Sequence, residues 1–164
     1  MIKKKLKLLM LLFSVTHTGL SLADNSMVLN ISVDVTVPPP CVINNNQTID
    51  VNFGNDLMTT HVDGSNYLKT IDYTISCTGV NSGTLMKMTI IGTASSFDSS
   101  AIQSDQSNLG IALRHDEQPL IIGQPFDVTY PALPVLKAVP VKKAGSTLVA
   151  GAFSAGATLV IDVQ

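Results

Sequence analysis

The residues of this chain whose types could do chemistry are few: two cysteines, two histidines past the opening segment, and a scatter of acids in polar stretches. Cys41 and Cys77 are the only thiols. A redox-active pair wants close spacing of the CxxC kind, which these two lack. Joined, they would close a loop of about 37 residues, worth roughly 3–4 kcal/mol in the chain-entropy picture. They read as a structural disulfide, and two thiols alone do not make a zinc site. His61 stands close to Asp63 and serines are plentiful, so a Ser-His-Asp arrangement can be drawn. No nucleophile-elbow sequence accompanies it, and His61 reads as a surface-loop residue. Imidazoles are too few for a Cu/Zn-type site. Asp98, Asp105, Asp116 and Glu117 lack calcium-loop spacing and read as solvated loop acids. The glycines form no phosphate-binding fingerprint. The expectation is no catalytic residue, no metal and no cofactor.

The opening of the chain reads as an address. Residues 1–7 carry Lys3, Lys4, Lys5 and Lys7, residues 8–15 are almost wholly apolar, and Ser21-Leu22-Ala23 supplies small residues before a cleavage point. The apolar run is shorter than the ~20 residues a membrane-spanning helix needs. Residues 1–23 are therefore expected to be a signal peptide. The mature chain then begins at Asp24, with no cysteine following Ala23 to carry a lipid. Export places Cys41 and Cys77 where a disulfide persists. Without the leader, six basic residues face twelve acidic ones. That balance has the wrong sign for a nucleic-acid partner, and no membrane span is expected in the mature chain.

The elements that must position these residues are strands. The chain has 164 residues, 45% apolar and 13% charged, without Trp and rich in Val, Ile and Thr. This is enough for one domain with a β-leaning core. In residues 27–37 every odd position is apolar (Met27, Leu29, Ile31, Val33, Val35, Val37), the period-2 signature of a strand with one buried face. Pro38-Pro39-Pro40 follows, a stiff rod of roughly 9 Å that holds this strand away from what comes next. Short alternating segments are expected at 48–53, 69–77, 85–91, 109–113, 120–122, 126–130 and 135–141, and a loop over 95–108. Pro140 marks an edge or bulge. The final segment, 153–163, is apolar at every second place: Phe153, Ala155, Ala157, Leu159, Ile161 and Val163. Many short strands with frequent turns describe an all-β sandwich. Two sequence features stand out. One is the alternating strand held off at the front, which suits β-strand addition to a neighbour; the other is the apolar alternating strand at the end.

The residues also carry a resemblance. Pro39-Pro40-Cys41-Val42-Ile43-Asn44-Asn45, Val51-Asn52-Phe53-Gly54-Asn55, His61-Val62-Asp63, the stretch 70–77 and Leu109-Gly110-Ile111-Ala112-Leu113 together resemble the minor tip pilins of chaperone–usher fimbriae, closest to the Pap-type adaptor subunits. Gly151, fourteenth from the C-terminus and followed by Phe153 and alternating apolar residues, is similar too. The resemblance implies an incomplete immunoglobulin-like β-sandwich (the pilin fold) that lacks its last strand, with an N-terminal donor-strand extension. Residues 24–40 would be that extension and its proline linker, and 41–164 the pilin domain. Leu29, Ile31, Val33 and Val35 would be the donor strand. Gly151, Phe153, Ala155, Ala157, Leu159, Ile161 and Val163 would line the acceptor groove, and the carboxylate of Gln164 would anchor to a periplasmic fimbrial chaperone. The implied partners are that chaperone, an outer-membrane usher and neighbouring pilin or adhesin subunits. The implied location is a cell-surface fimbrium reached through the periplasm. The sequence departs from the family pattern at Val33, where Gly is common, at Val163, where Tyr is common, and in an extra proline before Cys41. The alternative reading is a single-domain adhesin that binds a host receptor; three Tyr and five Phe speak against it.

Overall fold

The computed structural model describes residues 41–164. The expected leader, and the expected donor strand with Leu29, Ile31, Val33 and Val35, lie outside the described residues. Among the described residues eleven strands form in order: β1 (Cys41–Ile43), β2 (Lys69–Thr70), β3 (Ile75–Cys77), β4 (Leu85–Gly92), β5 (Ala94–Ser95), β6 (Asp98–Gln103), β7 (Leu109–His115), β8 (Gln118–Pro119), β9 (Phe126–Thr129), β10 (Leu136–Lys142) and β11 (Ala157–Val163).

They make two packed layers. One is the sheet β2-β10-β7-β6-β5, with β8 added beside β7; the other is β11-β4-β9, and β1 and β3 form a separate antiparallel pair. Alternation decides the facing. On β4, Met86, Met88 and Ile90 are buried while Leu85 and Ile91 are exposed. The buried set meets Ile102, Ile111, Leu113, Leu136 and Ala138 of the opposite sheet in one core. At roughly 1.5–3 kcal/mol per large side chain fully buried, this cluster is the main stabilising term.

Strand β7 is buried along five consecutive residues, Leu109 to Leu113, because both its faces are covered. Its second face is built from small residues: Ala112 lies opposite both Ala101 and Val139, forming a minor cluster with them. A Cβ placed on Gly110 would lie 3.1 Å from the Ala101 methyl and 3.4 Å from the Phe97 ring. The close approach of the Ala101 methyl therefore depends on the glycine.

Four expected elements differ from what forms, one of them, 48–53, described with the groove below. The stretch 95–108, expected as a loop, contains β6. Its polar look arises because Ser95, Ser100 and Ser104 are buried and hydrogen-bonded: Ser95 Oγ to Asp98 O, Ser100 Oγ to Asp98 Oδ1, and Ser104 Oγ to Leu109 O. The run 69–77, expected as one strand, is two strands that serve different sheets. β2 pairs with β10 and β3 with β1, so the chain crosses from the large sheet to the β1–β3 pair over residues 71–74. The run 120–122 forms no ladder, although Leu120 is buried. Pro140 lies on β10 past the end of β2, which pairs only with Lys137 and Ala138. That side of β10 is an edge there, as a residue without an N–H requires.

The crossing is pinned by Tyr73, whose hydroxyl donates to the Pro134 carbonyl at 2.7 Å. Burial, with a smaller contribution from nearby Asp116, pushes its phenol up to about 12. A raised phenol favours the neutral folded form. This contribution is complete below the ordinary value near 10 and disappears as pH rises through about 12. Replacing Tyr73 with Phe is expected to lower stability by about 1 kcal/mol and to flatten the alkaline fall. Urea titrations of both proteins between pH 8 and 12 check this.

Candidate functional site

Among the described residues the acids singled out in the sequence are occupied structurally. The Asp63 carboxylate accepts the N–H groups of Ser65 and Asn66, each at 2.8 Å, and the Asn66 amide at 2.9 Å. The Asn66 and Ser65 N–H groups hold Asp63 below the usual carboxylate range. It closes its own turn and does not orient His61, whose carbonyl accepts the Asn66 amide. The four acids expected to be solvated also have partners. Asp98 accepts from Ser100, Asp116 from the Val135 N–H, Glu117 pairs with Lys137, and Asp105 accepts from Ser154. No group of three or more His, Cys, Asp or Glu that could hold a metal occurs among the described residues. The Cys41–Cys77 disulfide is formed, between residues directly opposite in β1 and β3.

The concave feature is a groove between two chain segments. One wall is the C-terminal segment. Among the described residues β11 pairs with β4 on one side and has no strand on the other. Natural sheet edges are usually blunted by charge, proline or bulges. Here the strand Ala-Thr-Leu-Val-Ile-Asp-Val carries a single charge, on Asp162. The other wall is residues 48–53. Ile49, Val51 and Phe53 are half-buried and alternate with exposed Thr48, Asp50 and Asn52. The alternation expected of a strand is present, yet no ladder forms. Among the described residues no backbone group of residues 48–57 bonds to another backbone group. The segment has the side-chain pattern of a strand and no strand partner among the described residues.

Two cavities lie along this groove. The smaller, about 400 Å³, has a floor that includes Ile90, Ile102, Ile111, Leu113 and Leu136 from both layers. The larger, about 880 Å³, opens at the end where the C-terminal segment begins, against Leu57, Val62, Leu109, Pro140 and Leu148. Of the residues expected to line a groove, Phe153, Ala155, Ala157 and Leu159 border the smaller cavity, and Gly151 and Phe153 the larger. Ile161 and Val163 pack on the main core beyond them. Gln164 is exposed at the strand end, its N–H donating to the Leu85 carbonyl at 3.2 Å. Gly151 has φ +155, outside the range other residues favour.

The start of this wall is held by a clasp that the sequence reading did not anticipate. Ser154 donates its N–H and hydroxyl to the two Asp105 carboxylate oxygens, both at 2.8 Å, and Asp105 N–H donates back to the Ser154 carbonyl at 3.0 Å. The Gln106 amide donates to the Ala152 carbonyl at 2.9 Å. No sequence pattern marks Asp105 and Ser154, which lie 49 positions apart. The Ser154 N–H and hydroxyl hold the Asp105 carboxyl below its ordinary range. A depressed carboxyl stabilises the fold above the unfolded value near 4, and that contribution is lost as pH falls through the folded value. Asp105→Asn is expected to remove this acid-dependent loosening; amide exchange of residues 152–156 in the two proteins, from pH 6 down to 3, checks it.

Residues 29–164 match the fimbrial protein family. The chain is 36% identical over 145 residues to the fimbrial-like protein YfcR of Escherichia coli (strain K12), covering 84% of this chain and 80% of that protein. It is 35% identical over 132 residues to YfcQ of the same strain, covering 77% and 81%. In structure it is similar to the P pilus adaptor subunit PapF, with TM-score 0.56 and 26% identity over 78% of this chain and 98% of that one. The P pilus rod subunit PapA shares the fold, with TM-score 0.58 and 20% identity over 85% of this chain and all of that one.

Proposed function

The chain belongs to the fimbrial protein family and is a fimbrial subunit; on that premise we propose that it is a minor, adaptor-type pilin of a chaperone–usher fimbria, joined to its neighbours by donated strands. The observation that carries the proposal is the pair of strand-patterned walls, residues 48–53 and β11, each with an edge that forms no ladder bonds among the described residues, above a shared apolar floor. An inserted strand would bond to both walls and place alternate apolar side chains into the core. The donor we assign is residues 27–37 of another copy or a related subunit. That segment and the wall 153–163 both run for eleven residues and alternate in the same period. Four or five inserted aliphatic side chains, at roughly 1.5–3 kcal/mol each, would make a very stable joint.

Before assembly the same edge needs cover, because exposed apolar surface with unpaired backbone is costly. We assign that role to a periplasmic chaperone strand, with the Gln164 carboxylate held by basic residues of the chaperone. An outer-membrane usher would be the place of exchange. The leader 1–23 would deliver the chain to the periplasm, and the product would be a surface fimbrium that takes part in adhesion. The chain's role in this reading is structural, without catalysis or cofactor.

The test is periplasmic expression with and without a fimbrial chaperone. Accumulation only as a co-purifying complex is the expected result. A soluble, cooperatively folding monomer made equally well without chaperone would overturn the proposal.

A further inference from the structure

The segment 27–37 is followed at once by Pro38-Pro39-Pro40. Every ladder among the described residues is antiparallel. Laid antiparallel to residues 153–163, the incoming segment sets Met27 opposite Val163 and Val37 opposite Phe153, with its apolar odd positions on the inward face. The three prolines then fall opposite Ala152, Gly151 and Ala150. All three of these residues line the larger cavity, of about 880 Å³. We propose that this cavity is the docking site for Pro38–Pro40 of a second copy of this chain, which is thereby held by its proline rod as well as by its donated strand. The proposal rests on the strand-capture reading above.

This end of the groove suits proline better than a further length of strand. Gly151, at φ +155, departs from the φ of about −140° of a regular antiparallel strand. Gly54, at φ +91, ends the facing wall in the same way. Beyond these two glycines neither wall offers evenly spaced ladder partners. Ordinary residues passing here would leave N–H groups unpaired against protein, whereas proline has no N–H to satisfy.

The lining is also of the right kind. The half-buried Phe53 and Phe153 rings meet at 6.0 Å between centroids, tilted by 35°, and border the cavity together with Leu148 and Val149. Aromatic-lined surfaces seat proline-rich segments well, because the extended polyproline backbone is set before binding and loses little entropy. Opposite the prolines the wall is Ala-Gly-Ala, which leaves room for their rings. Val149 is 76% exposed, the most exposed large hydrophobic among the described residues. A proline rod lying across residues 150–152 would cover it.

The experiment uses the full chain held by a periplasmic chaperone and two synthetic donor peptides with amidated C-termini, residues 26–38 and residues 26–40. Once the SDS-resistant product has formed, its dissociation in SDS is timed at a fixed raised temperature. The 26–40 product is expected to dissociate about tenfold more slowly than the 26–38 product, the scale of burying one further apolar side chain. In Val149→Asp the 26–38 product should dissociate within about threefold of its wild-type rate, and the advantage of 26–40 should fall below about threefold. Stiffness of the longer peptide would by itself give the same advantage in both chains. Should the Asp variant fail to accumulate, Leu148→Ser takes its place. Equal dissociation of the two peptides, or an advantage that survives the substitution, overturns the docking site and leaves strand capture standing. No SDS-resistant product with either peptide removes both.

Discussion

Replacing Leu159 or Ile161 with Asn is expected to reduce recovery of the chaperone complex, and capture of a donor strand, by at least tenfold at each site. Both side chains lie on the inward face of β11 against the main core. Polar replacement forfeits roughly 1.5–3 kcal/mol of burial and leaves an amide in apolar surroundings. The control is Val160→Asn. Val160 alternates with them and points to the opposite face, opposite Thr89 in the register with β4. It keeps the same backbone edge and should alter capture by less than threefold. Equal losses at all three positions would mean that the strand matters only as part of the fold, and that its inner face has no special part in assembly. Quantifying the complex from periplasmic extracts on unheated SDS gels separates the two outcomes.

Replacing Cys41 and Cys77 together by Ser is expected to lower stability by about 2–4 kcal/mol. The disulfide joins the only two residues through which the β1–β3 pair is covalently closed. That pair has just three residue positions on each strand, too few to be stable by itself. It is also the platform from which the Asn44–46 turn and the 48–53 wall depart. The loss should therefore appear first in that wall. Urea unfolding of the strand-complemented chain measures the total. Limited proteolysis is expected to cut between residues 44 and 58 in the variant well before it cuts β4 or β7.

How far the sequence foretold this molecule depends on what kind of information each feature needed. The final strand was legible because six apolar residues at every second place admit no other period, and the disulfide because there were only two cysteines. Strand β6 was not legible. Its Ser, Asp and Gln residues look like loop chemistry, and only the paired layer around it explains why Ser100 and Ser104 are buried. The single run 69–77 could not reveal its division between two sheets, since side-chain alternation continues through the crossing. The wall at 48–53 is the most instructive case: its alternation reports the face that is buried, and ladder bonds need a neighbour that residues 41–164 do not provide. The clasp of Asp105 with Ser154 and the meeting of Phe53 with Phe153 are long-range contacts. Nothing local marks which partner each of those four residues meets.

In the proposed joint an incoming strand lies between residues 48–53 and β11 and bonds to both. Amide hydrogen exchange, before and after capture of the 26–38 peptide, tests it most directly. Fast exchange is expected over residues 48–53 before capture. On capture at least hundredfold slowing is expected there and at the outward amides of Ala157–Val163, with β7 and β10 unchanged. Continued fast exchange over 48–53 in an SDS-resistant complex would contradict it.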